Sequence, residues 1–262
     1  MVSRTNPDRV HRDLLRTEDT RQKTLERVAG GKRINRASDD PAGLAMVMAF
    51  ESQTRGLIQQ IGSRQDEISM LQTADGALSS MNEMIQRINE LAVQASNGTL
   101  TDADRGNIQL EINQLTSQIN QTANGTTYNE KKLLDGSLQV SLQSGETFTQ
   151  PAVTTEALGL NSVIVNSLQN ASQAIGQSAQ ALATLNTQRG SLGAAVNGIE
   201  SQVAGLQNEL VNVTAAQSRI EDVDMAAEII NMSLNELQSK FALQSFKIQD
   251  ENRLTILNLL GE

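Results

Sequence analysis

The chain contains no cysteine and no tryptophan, and only one histidine, one tyrosine, four phenylalanines and three prolines in 262 residues. Without cysteine there are no disulfides and no thiolate metal ligands. The single histidine, His11, leaves no His-x-x-x-His metal pair and no Ser-His-Asp triad. So few aromatic residues remove the side chains with which a globular enzyme of this size buries much of its core. No apolar run approaches the roughly 18 residues needed to span a membrane. The N-terminus "MVSRTNPDRVHRDLL" also lacks the apolar stretch of a secretory signal. If the protein leaves the cell, another route is expected to take it, without a cleaved signal peptide.

What is present fits helices. The apolar 38% is mostly Ala, Leu, Ile and Val, which suits thin helix–helix seams better than one thick core. A net charge of -9 argues against general nucleic-acid binding, which needs a basic surface. The charge is uneven, however, because residues 1–36 hold ten of the 21 Lys and Arg. There the sign alternates, as in "RTEDTRQKTLER", the pattern of a solvated or partner-facing helix.

Hydrophobic spacing organises the rest. Leu182, Leu185, Arg189, Leu192, Val196, Ile199, Val203, Leu206, Leu210, Val213, Gln217 and Ile220 follow three/four spacing without a break, a heptad seam. It predicts a helix over about 164–222, on the order of 90 Å long at 1.5 Å per residue. Ile58, Ile61, Ile68, Leu71, Leu78, Met81, Ile85, Ile88, Ala92 and Ala95 give a matching seam for a helix over about 41–97, stopped by Asn97-Gly98. Thr101 and Asp104 form a capping pattern for a third helix over about 102–122. "SLQVSLQSGETFT" alternates as one β-hairpin, about 137–150. The expected fold class is mainly α. Long antiparallel helices form a rod-like coiled-coil bundle with one small hairpin, and the N- and C-terminal helices pair. The expected domains are 1–40 (inner helix and hinge loop), 41–224 (rod) and 225–262 (C-terminal inner helix).

Paired carboxylates are the remaining candidates for chemistry. Asp102 and Asp104 read as a helix N-terminus, where acids complement the macrodipole. Glu221, Asp222 and Asp224 read as a solvated joint, with a divalent-ion site as the alternative. Asp39 and Asp40, in "NRASDDPAGLAM", precede a proline. Ser38 or Asp40 can cap a helix there, and Pro41 fits its first turn. Lys32, Arg33 and Arg36 are placed to neutralise these acids. No glycine pattern forms a phosphate-binding loop. No catalytic residue, cofactor or metal is expected.

These stretches carry a resemblance. "GKRINRASDDPAGLAM" resembles the N-terminal signature of bacterial flagellins, and "LQTADGALSSMNEMIQRINELAVQASNGT" is similar to their next block. "NEKKLLDGS", "ALGL" at Ala157–Leu160 and "RIEDVDMAAE" at Arg219–Glu228 are similar to further blocks, in order along nearly the whole chain.

The resemblance implies a secreted subunit of the extracellular flagellar filament, a helical homopolymer, exported unfolded through the flagellar type III apparatus. It implies an export chaperone, cap and junction proteins as partners, and Toll-like receptor 5 in a host. Candidate receptor contacts, or rod packing residues, carry over as Arg87, Leu91 and Glu111. Hinge and subunit contacts are expected at Arg33, Arg36, Asp39 and Asp40. Inner-domain packing is expected at Leu234, Leu237, Phe241, Ile248, Leu257 and Leu260. Residues 145–166 leave little room for a variable outer domain. The termini depart from the pattern in being charged, which suggests that Arg9, Arg12 and Arg16 meet Asp250 and Glu251. Alternatives are the hook–filament junction protein of the same machinery, a flagellin with an inserted metalloprotease, and a free coiled-coil adaptor.

Overall fold

The computed structural model describes residues 7–141 and 147–260, with 7–10, 249, 250, 252–254 and 256–260 described by backbone alone. Its long helices are α1 (Pro7–Gly30), α2 (Pro41–Ala95), α3 (Asp102–Gly125), α4 (Leu168–Glu221) and α5 (Met225–Leu260). Between α3 and α4 lie two antiparallel strand pairs. Strand β1 (Thr127–Tyr128) pairs with β2 (Lys131–Lys132), and β3 (Gln139–Ser141) with β4 (Thr147–Thr149), Val140 standing opposite Phe148.

The helix ends follow local chemistry. At α3 the expected capping box is complete: Asp104 N–H donates to Thr101 Oγ1 at 3.2 Å, and Thr101 N–H to Asp104 Oδ2 at 3.0 Å. Helix α4 starts at Leu168, not near Ile164. The Gln109 side-chain amide accounts for this, since Val165 N–H donates to its oxygen at 2.7 Å and its nitrogen donates to Val163 C=O at 3.0 Å. That clamp holds 163–165 out of a helix, and Ser167 then caps α4 through Asn170 N–H at 3.2 Å. The first strand pair was not expected. Its two-residue turn puts Asn129 at φ 46° and Glu130 at φ 65°. Left-handed backbone at both positions is what a tight hairpin requires, and glutamate gives no sequence signal for it.

The chain forms two compact units, residues 57–209, and residues 1–56 with 210–262; α2 and α4 contribute to both. In the first, Leu71, Leu78, Met81, Ile85, Ile88 and Leu91 of α2 meet Ile112 and Ile119 of α3 and Leu185 of α4, all at most 1% exposed. Each such burial contributes roughly 1.5–3 kcal/mol relative to exposure. Leu133, Leu134 and Leu160, from the strand-bearing segment, close the same core. Two members of the expected seam fall outside it, Ile58, which is exposed, and Ile61, which is half-buried.

The α2–α4 seam also carries polar layers. Asp75, Asn82 and Asn89 recur every seven residues on α2. Arg189 donates to both Asp75 oxygens at 2.8 and 3.2 Å, Asn82 to Asn186 at 2.7 Å, and Asn89 to Ser178 at 2.9 Å. A slipped register would strand these groups against apolar neighbours, so the layers fix the antiparallel alignment. They also explain the arginine at position 189 of an apolar stripe.

Candidate assembly interface

The two aspartates of "NRASDDPAGLAM" organise backbone. Asp39 accepts from Arg36 N–H at 3.0 Å and Asn35 N–H at 3.2 Å, closing the loop on itself. These bonds hold its carboxyl below the usual carboxylate range. Asp40 accepts from Gly43 N–H at 2.9 Å and is the N-cap of α2. A β-carbon at Gly43 would stand 2.5 Å from Asp40 Oδ2 and 2.7 Å from Ile34 Cδ1. A side chain there would have to push the Asp40 cap and Ile34 aside, so glycine is favoured by contact, not by backbone conformation, and sequence reading missed it. Asp40→Ala is expected to cost about 1 kcal/mol of stability in this unit. Gly43→Ala is expected to displace the same cap despite alanine's better helix propensity, and thermal unfolding of both variants checks this.

The basic side of the loop is clasped to the α4–α5 joint. Lys32 pairs with Glu221, and Arg33 N–H donates to Glu221 C=O at 2.6 Å. The Arg33 guanidinium reaches Ile220 C=O at 2.6 Å, and Val223 N–H donates to Gly31 C=O at 3.1 Å. Arg36 pairs with Glu26 at 2.7 Å. The joint is thus not simply solvated, because Glu221 is buried and engaged by Lys32 and Gln217. Asp222 bonds Ser218, and Asp224 caps α5 through Ala226 N–H and Ala227 N–H at 3.0 and 3.1 Å.

Burial alone would raise the Glu221 carboxyl, but the bonds from Lys32 and Gln217 outweigh it and hold it below its usual value. Lys32 is raised, first by its bond to Glu221. The lowered carboxyl contributes stability above its unfolded-state value, lost as pH falls through the folded-state one. The raised ammonium contributes below its unfolded-state value, lost as pH rises through the folded-state one. The clasp therefore acts across the neutral range and loosens at both extremes. The difference in unfolding temperature between the natural chain and Glu221→Gln is expected to be largest near neutrality and to shrink on acidification.

Helices α1 and α5 pair through a mixed seam in which polar bonds alternate with half-buried apolar residues. Ser239 Oγ donates to Glu18 at 2.7 Å, Asn235 to Thr24 Oγ1 at 3.3 Å, and Arg27 stands 3.6 Å from Glu228. Positions 228, 232, 235, 239, 242 and 246 form this side of α5, so the half-buried Met232, Ala242 and Phe246 stand among the polar pairs. The apolar stripe lies elsewhere on the helix. Ile230, Leu234, Leu237, Phe241 and Ile248 are 61%, 50%, 51%, 69% and 53% exposed. Within one chain, the expected inner-domain packing residues Leu237, Phe241 and Ile248 stay exposed, while the half-exposed Leu234 borders the groove that Thr20 and Thr24 of α1 line. The side chains of Leu257 and Leu260, and of Arg9 and Asp250, lie outside those described.

In the other unit, Arg87 and Glu111 are exposed and paired at 2.8 Å, whereas Leu91 is 1% exposed and packs in the core. Sequence reading missed Arg105, which is buried. Its guanidinium donates to Ala95 C=O at 3.0 Å, Asn97 C=O at 3.0 Å and Leu100 C=O at 3.1 Å, tying the end of α2 to the start of α3. Among the described residues no group of three or more His, Asp or Glu is placed to hold a metal ion, and no helix is long and apolar enough to cross a membrane.

Residues 6–139 match the family model of the bacterial flagellin N-terminal helical region, and residues 165–260 that of the C-terminal helical region. The chain is 34% identical over 259 residues to a flagellin of Halalkalibacterium halodurans, covering 95% of each. It is 36% identical over 280 residues to the flagellin of Bacillus subtilis, covering 91% of this chain and 92% of that one. Among solved structures, the Bacillus cereus flagellin aligns with a TM-score of 0.50 and 27% identity, over 60% of this chain and 94% of that one. Bacillus cereus FlgL, at 16% identity and the same TM-score over 64% of this chain and 96% of that one, shares the fold alone.

Fold and relatives define a self-assembling structural protein, not an enzyme. The chain belongs to the bacterial flagellin family, the structural subunits of the flagellar filament. Relatives named flagellin over nearly its full length do not favour the hook–filament junction alternative.

Proposed function

We propose that copies of this chain complete one another through the apolar stripe of α5, with the α1–α5 pair lining the filament channel. The observation that carries this is the exposure of Leu234, Leu237, Phe241 and Ile248 on a helix that meets α1 along another side, through Asn235, Ser239 and the half-buried Met232 and Phe246. An exposed stripe of this kind is a liability for a monomer and an adhesive for a polymer. Monomer mixed with sheared filament fragments is expected to become pelletable, and to remain soluble without them; equal solubility in both would oppose the reading.

Export unfolded through the flagellar type III apparatus, with an export chaperone, and contact with cap and junction proteins follow from the family resemblance. They are supported by a chain free of disulfides. Recognition by Toll-like receptor 5 is assigned to the exposed Arg87 and Glu111, with Leu91 holding their helices together from inside. Arg87→Asp is expected to lower receptor signalling while leaving the fold intact, read in receptor-bearing cells beside a melting curve.

A further inference from the structure

The chain has three Asn-Gly pairs, Asn97-Gly98, Asn124-Gly125 and Asn197-Gly198. The last two lie within α3 and α4, where helical geometry commits each glycine N–H to the carbonyl four residues back. Asn97 and Gly98 lie in the turn after α2 and are exposed. Nothing stands within 4 Å of where a β-carbon on Gly98 would be, and its N–H has no acceptor among the described residues.

We propose that Asn97 is a site of spontaneous deamidation, promoted by the hydrogen-bond donors that surround it. In this reaction the Gly98 amide nitrogen, having lost its proton to solvent base, attacks Asn97 Cγ. The new N–Cγ bond gives a tetrahedral intermediate, which expels the side-chain nitrogen as ammonia after protonation by solvent. Water then opens the resulting succinimide at either carbonyl, to aspartate or isoaspartate.

Negative charge develops at two oxygens, and the structure supplies donors to both. Deprotonation of the Gly98 amide spreads charge onto the Asn97 backbone carbonyl oxygen, which accepts from Arg105 Nη2 at 3.0 Å and Leu100 N–H at 3.3 Å. Attack at Cγ moves charge onto Asn97 Oδ1, which accepts from Thr99 N–H at 3.1 Å and Thr99 Oγ1 at 3.0 Å. The Arg105 guanidinium is buried and also bonds the Ala95 and Leu100 carbonyls, so its donor is already oriented. Preorganised donors at developing oxyanions lower such barriers.

Asp135-Gly136-Ser137 offers an informative contrast. Asp135 Oδ1 accepts from Ser137 N–H at 2.9 Å and Ser137 Oγ at 2.5 Å, the same arrangement. Those bonds hold its carboxyl below the usual range, so the group stays anionic and offers no good leaving group. The same turn chemistry leads to reaction with an amide and to inertness with a carboxylate. Conversion at Asn97 adds one negative charge at the C-terminal end of α2, and the isoaspartate product lengthens the α2–α3 turn by one backbone atom. Older subunits would therefore differ from new ones at this position.

The test incubates the purified full chain at neutral and mildly alkaline pH, then follows the amide-to-acid mass change and isoaspartate content by peptide mapping. Asn97 is expected to convert about tenfold or more faster than Asn124 or Asn197. Thr99→Val, which keeps the N–H and removes the hydroxyl donor, is expected to slow it several-fold at an unchanged unfolding temperature, with Thr99→Ser restoring the rate. Gly98→Ala is expected to suppress it. Equal rates at the three pairs, or a Thr99→Val chain converting at the natural rate, would overturn the proposal.

Discussion

Replacing Leu234 and Phe241 together by aspartate is expected to abolish filament growth while leaving the unfolding of the isolated chain nearly unchanged. Both side chains are at least half exposed in the single chain, so their removal breaks no core contact. In a polymer each would be covered, and a buried leucine or phenylalanine contributes roughly 1.5–3 kcal/mol. An aspartate in the same contact adds the cost of desolvating a carboxylate, so the interface loses twice at each position. Sedimentation over filament seeds reads the first effect and a melting curve the second. A variant that assembles normally would show that the stripe is not covered in the filament. One that fails to fold would show that it already packs within the chain.

Arg105→Met is the second large effect, and it falls on stability instead of assembly. The substitution keeps most of the side chain's length but leaves the carbonyls of Ala95, Asn97 and Leu100 without their common donor. Unsatisfied acceptors at a buried site make a loss of roughly 2–4 kcal/mol the expected result in denaturant unfolding. Arg105→Lys is expected to rescue little, because a single ammonium on a flexible stem cannot replace the planar fork that reaches separate carbonyls. Arg87→Ala, which breaks an exposed pair with Glu111, is the natural comparison and is expected to be nearly silent. Equal effects at the two arginines would contradict the role assigned to Arg105.

These two sites show what could be read from the sequence. The heptad seams of α2 and α4 were legible because burial repeats with the helix, and Leu71 to Ala95 and Leu185 to Ile199 duly supply core residues. The capping box at Thr101 was legible because it is local. Asp39 and Asp40 could be placed in a loop and a cap, but their division of labour depends on which backbone N–H groups turn toward each. Arg105 could not be found, since its acceptors lie at turn positions that only the folded chain brings together. The Lys32–Glu221 clasp likewise joins residues far apart in sequence. The apolar residues of α5 were legible as packing residues, but not the side they face. That side is set by the pairing with α1, where the polar bonds of Glu18, Thr24 and Arg27 and the half-buried Met232, Ala242 and Phe246 occupy the opposite side of α5.

The central claim is that the α5 stripe is the surface by which one subunit is completed by others. Electron cryomicroscopy of filaments grown from the purified chain tests it most directly. The account predicts a hollow flagellar lattice in which Leu234, Leu237 and Phe241 are covered by neighbouring subunits. Filaments in which those side chains face solvent, or a purified chain that forms no such lattice from seeds, would contradict it.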